Sequence, residues 1–176
     1  SFEHEPLRNL TLQYGLRFST FTRLGKEDIY VYVNGVPTDE GAIIDTTSYG
    51  TLDKIISFNA PEPRFSANYI IDGKSSVKAS YNRMRQYIHL VSNTTSATPI
   101  DIWMPSGEYI EPATVDQVAV GYFRNFQNNA YEASIEGFYK DFDNLLDYKD
   151  GAELLLNETL ETELLSGEGR AYGLEL

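Results

Sequence analysis

Two histidines, His4 and His89, carry the only imidazole groups of the 176-residue chain, which has no cysteine. A catalytic serine needs a histidine held beside it by a third group, and such a serine often stands in a Gly-x-Ser-x-Gly turn. No Gly-x-Ser-x-Gly sequence occurs in the chain. The sequence therefore predicts a protein that is not an enzyme.

The segment DFDNLLDYKDG contains four carboxylates, which are Asp141, Asp143, Asp147 and Asp150. Clustered carboxylates are typical calcium ligands, but an EF-hand loop needs an oxygen ligand and a glycine where Leu145 and Leu146 stand. We interpret the run as a solvated, acidic strand end. No metal site and no cofactor are predicted, since the chain also lacks cysteine for a thiolate site.

The segment DIWMPSGEY holds the best candidates for ligand contact, which are Trp103, Met104 and Tyr109. They are apolar or aromatic residues within an otherwise polar connection, and an exposed indole ring is a common platform for a sugar or a chelate ring. The alternative is that Trp103 packs this connection against its neighbours.

Composition limits the partners of the chain. Its formal net charge is -12, which repels phosphate backbones, so no nucleic-acid partner is expected. No apolar run approaches the ~20 residues of a membrane-spanning helix, although barrel strands need only one apolar face. The first residues, Ser1 to His4, do not resemble a signal peptide. We therefore expect a chain that has lost its signal or an excised segment.

Residues alternate between apolar and polar along several long segments, which is typical of strands with two different faces. The first strand is predicted from about Asn9 to Phe21, with Leu10, Leu12, Tyr14, Leu16 and Phe18 on its apolar face. The other predicted strands cover about 64–71, 76–90, 115–126, 130 onward, and the final GRAYGLEL. The predicted fold class is thus all-β, an antiparallel up-and-down meander of about six long strands.

Short turns and long connections alternate along the chain. Hairpin turns are predicted at Asp72–Gly73 and at Gln127–Asn129, whereas the connections 22–63, 91–114 and 144–167 are long. All short turns then lie at one end of the sheet, as in outer-membrane barrels. Five aromatic residues near that end form a predicted interfacial girdle: Tyr69, Tyr122, Phe123, Phe126 and Tyr131. The alternative is a soluble all-β module that binds carbohydrate or another ligand.

Residues 153–165 allow two interpretations. Leu156, Leu160 and Leu164 have the spacing of an acidic amphipathic helix. A hairpin that turns at Asn157–Thr159 is the other interpretation and the one that we prefer.

Several segments resemble the barrel of TonB-dependent receptors: NLTLQYGLRFS, EPRFSANYII, SSVKASYNRMRQYIHLVSNT, PSGEYIEPATVDQVAVGYFRNF, YEASIEGFYKDFDNLLDYKDGA and LSGEGRAYGLEL. The resemblance implies a barrel of about 22 strands in the bacterial outer membrane, with an amino-terminal plug in its lumen. It also implies active uptake of a small nutrient, such as an iron chelate, cobalamin, a glycan or a peptide, driven through the periplasmic TonB protein.

The resemblance further implies that residues 1–176 are an internal barrel segment from the carboxy-terminal half, without the plug and the terminal strands. Val120 and Ile135 would then contact outer-membrane lipid, and Ser134 would face the lumen. An isolated segment has two open sheet edges and an uncovered apolar face, so we expect it to self-associate.

Overall fold

The computed structural model describes residues 1–91, 102–127, 130–153 and 156–176. Its strands are β1 Phe2–Leu7, β2 Leu10–Leu24, β3 Glu27–Tyr32, β4 Ile43–Tyr49, β5 Lys54–Asp72, β6 Ser75–Gln86, β7 Ile88–Val91, β8 Ile102–Pro105, β9 Ala113–Phe126, β10 Tyr131–Tyr148 and β11 Leu164–Glu175. Its helices are short 3-10 turns at Val33–Gly35, Glu40–Ala42 and Leu160–Glu163. Within the described residues, no helix is long and apolar enough to cross a bilayer.

The long strands form one seven-stranded antiparallel sheet in the order β1-β2-β5-β6-β9-β10-β11. Each of its strands pairs with the next one along the chain, apart from the two small hairpins β3-β4 and β7-β8. The predicted meander is therefore confirmed. The six predicted strands are all present, but the strand predicted over 76–90 ends at Gln86, and β7 belongs to a separate hairpin. β1 is an additional edge strand that places His4 opposite Leu12.

One face of the sheet, here called the apolar face, is a continuous hydrophobic surface. The strand register shows which residues belong to this face, because directly paired residues lie on the same side of a sheet. One cross-strand row consists of Leu10, Tyr69, Val77, Tyr122 and Ile135. The face is also exposed, as Leu16 (70%) and Tyr172 (79%) illustrate. The predicted alternation thus assigned these side chains to the correct face.

The opposite face, here called the polar face, carries residues such as Gln13, Ser66, Ser80 and Ser134. Phe123 also lies on this face, so its assignment to an aromatic girdle with Tyr122 was wrong. Its ring lies over Gly121, where an added Cβ would be 2.8 Å from Phe123 Cε2.

The Phe123 ring lies beneath the Lys78 ammonium, 4.5 Å from Nζ to the ring centroid. Four predicted girdle residues do lie on the apolar face near the short turns: Tyr69, Tyr122, Phe126 and Tyr131.

Short turns occupy one end of the sheet, here called the turn end, and long connections occupy the other, the loop end. The turns join β1 to β2, β5 to β6 and β9 to β10. The hairpin at Asp72–Gly73 is confirmed, and the Lys74 amide donates to Asp72 Oδ1 at 2.8 Å. The predicted turn at Gln127–Asn129 joins paired strands, but residues 128–129 lie outside the described residues.

The buried hydrophobic cluster lies at the loop end, where the long connections pack against the ends of β10 and β11. Val91, Ile110 and Leu164 form its centre. Partly buried side chains pack around them: Ile102, Met104, Leu146, Tyr148, Ala152 and Leu160. The preferred hairpin at Asn157–Thr159 is wrong, because Leu160–Glu163 is a 3-10 turn that leads directly into β11.

Candidate functional site

The connection between β6 and β9 begins on the polar face of the sheet. The Tyr87 ring stacks on Phe21, with centroids 5.3 Å apart and planes inclined by 6°. The Tyr87 and Ser19 hydroxyls are 2.6 Å apart, and Ser19 Oγ donates to Glu62 Oε1, also at 2.6 Å. Glu62 is only 2% exposed. Since Ser19, Phe21 and Glu62 all lie on the polar face, this connection folds over that face.

A cavity of about 290 Å³ lies at the loop end between three connections. Its lining comes from residues within 27–30, 103–110 and 157–161, together with Arg23 of β2. This cavity, here called the loop cavity, contains all three sequence candidates: Trp103, Met104 and Tyr109. Because the Arg23 side chain also belongs to the polar face, the cavity lies on that side of the sheet.

The three sequence candidates have different surroundings. Trp103 pairs with Leu90 in the β7-β8 hairpin, yet it remains 63% exposed, so its ring contributes little to packing. Met104 packs against the buried hydrophobic cluster while it lines the cavity. Thus Trp103 presents a free aromatic surface, and Met104 joins the cavity to the packed loops.

Tyr109 connects two of the connections. Its hydroxyl donates to the Tyr30 backbone carbonyl at 3.0 Å. Its ring meets Tyr32 edge-on, with centroids 5.1 Å apart and planes at 85°. Burial and the nearby Glu108 carboxylate raise the pKa of Tyr109. The phenol therefore stays protonated as a donor at neutral pH.

Two phenol-carboxylate bonds, which the sequence did not predict, join the first connection to the third. Tyr32 Oη donates to Glu161 Oε1 at 3.0 Å, and Tyr30 Oη donates to Glu158 Oε2 at 3.4 Å. Burial, followed by the charge of Glu161, raises the pKa of Tyr32. Both carboxylates line the loop cavity, so these bonds fix part of its wall.

The lining of the loop cavity is strongly acidic. Its carboxylates are Glu27, Asp28, Glu108, Glu158 and Glu161. Its basic side chain is Arg23, which forms an ion pair with Glu27, with Arg23 Nε 2.9 Å from Glu27 Oε2. Since that guanidinium is already paired, the cavity presents a negative potential to its contents.

The two histidines occupy separate positions outside the cavity lining. His4 lies on edge strand β1, whereas His89 is buried in β7, with Nε2 3.2 Å from Ser106 Oγ. Burial lowers the pKa of His89. Ser106 is 0% exposed, so a substrate cannot reach its hydroxyl in this conformation. The His89–Ser106 pair therefore stabilises the connection rather than forming an open nucleophilic site.

Within the ranges that the structure describes, no three His, Asp or Glu side chains are arranged as metal ligands. Two aspartates of DFDNLLDYKDG have local partners. Asp141 Oδ1 lies 3.3 Å from Arg170 Nε, and Asp147 Oδ1 accepts the amide of Tyr148.

Comparison with known proteins gave one family. The family described as "TonB dependent receptor-like, beta-barrel" matches residues 5–176. No curated protein and no solved structure matches the chain.

Proposed function

Because the chain belongs to the β-barrel family of TonB-dependent receptors, we propose that it forms part of the wall of an outer-membrane receptor for a small nutrient. Proteins of this family are outer-membrane transporters of Gram-negative bacteria rather than enzymes. Residues 1–176 supply seven adjacent strands of the wall, and the full-length receptor supplies the plug that contacts periplasmic TonB.

The observation that carries this proposal is that charged side chains border the apolar face at both ends. At the loop end, Arg83, Asp116, Asp141 and Arg170 form one cross-strand row. Two ion pairs lie within it, at 2.5 Å between Arg83 and Asp116 and at 3.3 Å between Asp141 and Arg170. At the turn end, Arg124 lies on the same face.

The spacing of these borders supports insertion in a bilayer. About 27 Å of strand separates Asp116 from Arg124 on β9. At a strand tilt of ~40°, this length corresponds to ~20 Å of height, close to the ~25 Å apolar band of outer-membrane barrels. Lipid would cover the exposed face, whereas a soluble module would need another cover.

In this arrangement the turn end faces the periplasm and the loop end faces the medium. The loop cavity then lies above the lumen side of the wall, where a ligand arrives before transport. Trp103, Met104 and Tyr109 are the proposed ligand contacts. The candidate nutrients are those that the sequence resemblance implied, namely iron chelates, cobalamin, glycans and peptides.

Protease accessibility tests the proposed localisation and orientation. A cleavage site for a specific protease would be inserted in the full-length receptor either after Asp150, at the loop end, or after Gly73, at the turn end. We expect the receptor in the outer-membrane fraction, with cleavage in intact cells only after Asp150. Recovery in a soluble fraction, or equal cleavage at both sites in intact cells, would contradict the proposal.

Growth on single nutrient sources tests the proposed binding role. A strain that lacks the receptor should grow poorly on one source among iron chelates, cobalamin, glycans and peptides. Wild-type receptor should restore growth, and Trp103→Ala should restore it only at higher nutrient concentration. Val36→Ala, at another exposed loop position outside the cavity lining, is the matched control and should behave as wild type.

A further inference from the structure

From the charge of the loop cavity we infer that its ligand carries a positively charged group, an ammonium or a guanidinium, on an otherwise neutral body. This inference rests on the proposed receptor function and specifies the class of nutrient. It depends on three features of the cavity: an excess of carboxylates, two carboxylates that are free to pair, and aromatic rings beside them.

The excess of carboxylates is large for a cavity of this size. Of the described residues that line about 290 Å³, five contribute carboxylates and one, Arg23, contributes a guanidinium. Both Arg23 Nε and Nη2 are directed at Glu27. An anionic chelate would therefore meet net repulsion and lose hydration without gaining a basic partner.

Among the residues that the structure describes, two of the five carboxylates have no partner to neutralise them. Asp28 and Glu108 are exposed, and neither forms a hydrogen bond or an ion pair with another described residue. The other three are engaged by Arg23, Tyr30 and Tyr32. A cation in the cavity can therefore pair with Asp28 or Glu108 without breaking a bond that holds the connections together.

The aromatic residues add a second attraction for the same charge. The faces of Trp and Tyr rings carry negative potential and bind ammonium and guanidinium groups. Trp103, which is largely exposed, lines the same cavity as Tyr30 and Tyr109. Indole and carboxylate groups in one cavity favour a ligand that has a cationic group beside an apolar or sugar-like surface.

The test compares ligands that differ only in charge. The full-length receptor would be titrated with a glucosamine disaccharide and its N-acetylated counterpart, and separately with a lysine tripeptide and its Nε-acetyl counterpart. Acetylation removes the positive charge of the amine and leaves the rest of the probe unchanged. In at least one pair, we expect the amine to bind about fivefold tighter or more, with a preference that declines at high salt. The pair that shows this preference distinguishes an amino sugar from a basic peptide.

Variants then test whether the preference for the amine arises in the loop cavity. Asp28→Asn with Glu108→Gln should abolish the preference for the amine and leave binding of the acetylated probe unchanged. Glu5→Gln with Glu132→Gln makes the same change in net charge near the turn end and should preserve the preference. Trp103→Ala should weaken the binding of both members of the preferred pair.

The outcomes separate the inference from the proposed function. Three outcomes would overturn the inference that the ligand is cationic. They are equal binding of amine and acetylated probes, no binding of either amine, and a preference for the amine that survives the Asp28/Glu108 double variant. The receptor role would still stand if Trp103→Ala impaired growth in the complementation experiment. If Trp103→Ala also left growth unchanged, both the cationic ligand and the proposed ligand contact would be contradicted.

Discussion

Ile135 and Ser134 are neighbours on β10 whose side chains meet different surroundings. Ile135 lies on the apolar face opposite Tyr122, and Ser134 lies on the polar face opposite Phe123. Val120 extends the apolar face near the middle of β9. If lipid covers this face, a charge introduced there loses its hydration. A charge at Ser134 stays hydrated, because that residue faces the water of the lumen.

The first prediction concerns a charge on each face. Val120→Arg and Ile135→Arg should each lower the free energy of unfolding of the full-length receptor by ~2–4 kcal/mol. Ser134→Arg is the control and should cost much less. Denaturant titration in liposomes would measure the three values. Equal penalties at Ile135 and Ser134 would contradict the assignment of the faces.

The second prediction concerns the pH dependence of the loop end. Because burial lowers the pKa of His89, the folded protein binds fewer protons there than the unfolded chain, whose pKa is ~6.5. The contribution of neutral His89 is complete above pH ~6.5 and is lost as the pH falls toward the lower folded pKa. Proteolysis of the β7-β8 hairpin should therefore accelerate as the pH falls below about 6.5.

His89→Gln is the matched variant for this experiment, since its side chain is polar but does not titrate. Its proteolysis should change less with pH, after correction for the activity of the protease on an unfolded substrate. The same acceleration in wild type and His89→Gln would exclude His89 as the source.

The ligand contacts Trp103, Met104 and Tyr109 stay predictions, which the sequence suggested because these residues are apolar or aromatic within a polar segment. The bonds that support the loop cavity could not be predicted in the same way. The bond between Tyr32 and Glu161 joins residues 129 positions apart, and no local pattern identifies such a pair. The bond depends on how two long connections lie relative to each other in the folded protein.

The sequence located the turn between β5 and β6 but not its geometry. Asp-Gly hairpins usually place glycine at positive φ, but Gly73 is not in that region and has nothing within 4 Å of an added Cβ. The Asp72 carboxylate instead accepts the Lys74 amide. The sequence thus located the turn correctly, while the side chain of Asp72 determines its local geometry.

The third prediction follows from that turn. Asp72→Ala should lower the free energy of unfolding, because the Lys74 amide loses its acceptor. Gly73→Ala should change it by less than ~0.5 kcal/mol. Equilibrium unfolding of the full-length receptor measures both. A larger loss for Gly73→Ala than for Asp72→Ala would show that glycine conformation controls the turn.

The elements that sequence reasoning missed have weak or mixed patterns. The segment of β1, Phe2–Leu7, mixes exposed acidic and apolar residues, and its strand state depends on pairing with β2. The leucines at 156, 160 and 164 have a spacing that fits either a helix or a strand, and packing of Leu160 against the buried cluster favours the 3-10 turn Leu160–Glu163. Tertiary contacts, which local periodicity cannot contain, set both elements.

For the whole molecule, the open sheet determines how the isolated chain behaves. β1 and β11 each have one partner in the sheet and therefore one unpaired edge. The apolar face adds exposed side chains such as Phe18, Leu174 and Val120. Open edges and an uncovered hydrophobic face both promote association in water.

The fourth prediction is that residues 1–176, purified without detergent, self-associate at micromolar concentration. Copies would cover each other's apolar faces or pair along their edges. Light scattering behind size exclusion measures the mass directly, and added detergent should shift the population toward monomer. A compact monomer without bound detergent or lipid would contradict this expectation.

The hydrophobic cluster of Val91, Ile110 and Leu164 has a consequence for engineering. Val91 and Ile110 come from the connection between β6 and β9, Leu164 begins β11, and the Tyr32–Glu161 bond ties the first connection to the third. A graft of one connection onto a related barrel would separate the donor segment from the partners that fold it. A chimaera that transfers 25–53, 87–112 and 146–164 together carries its own packing, so recognition can be transplanted as one module onto a different wall.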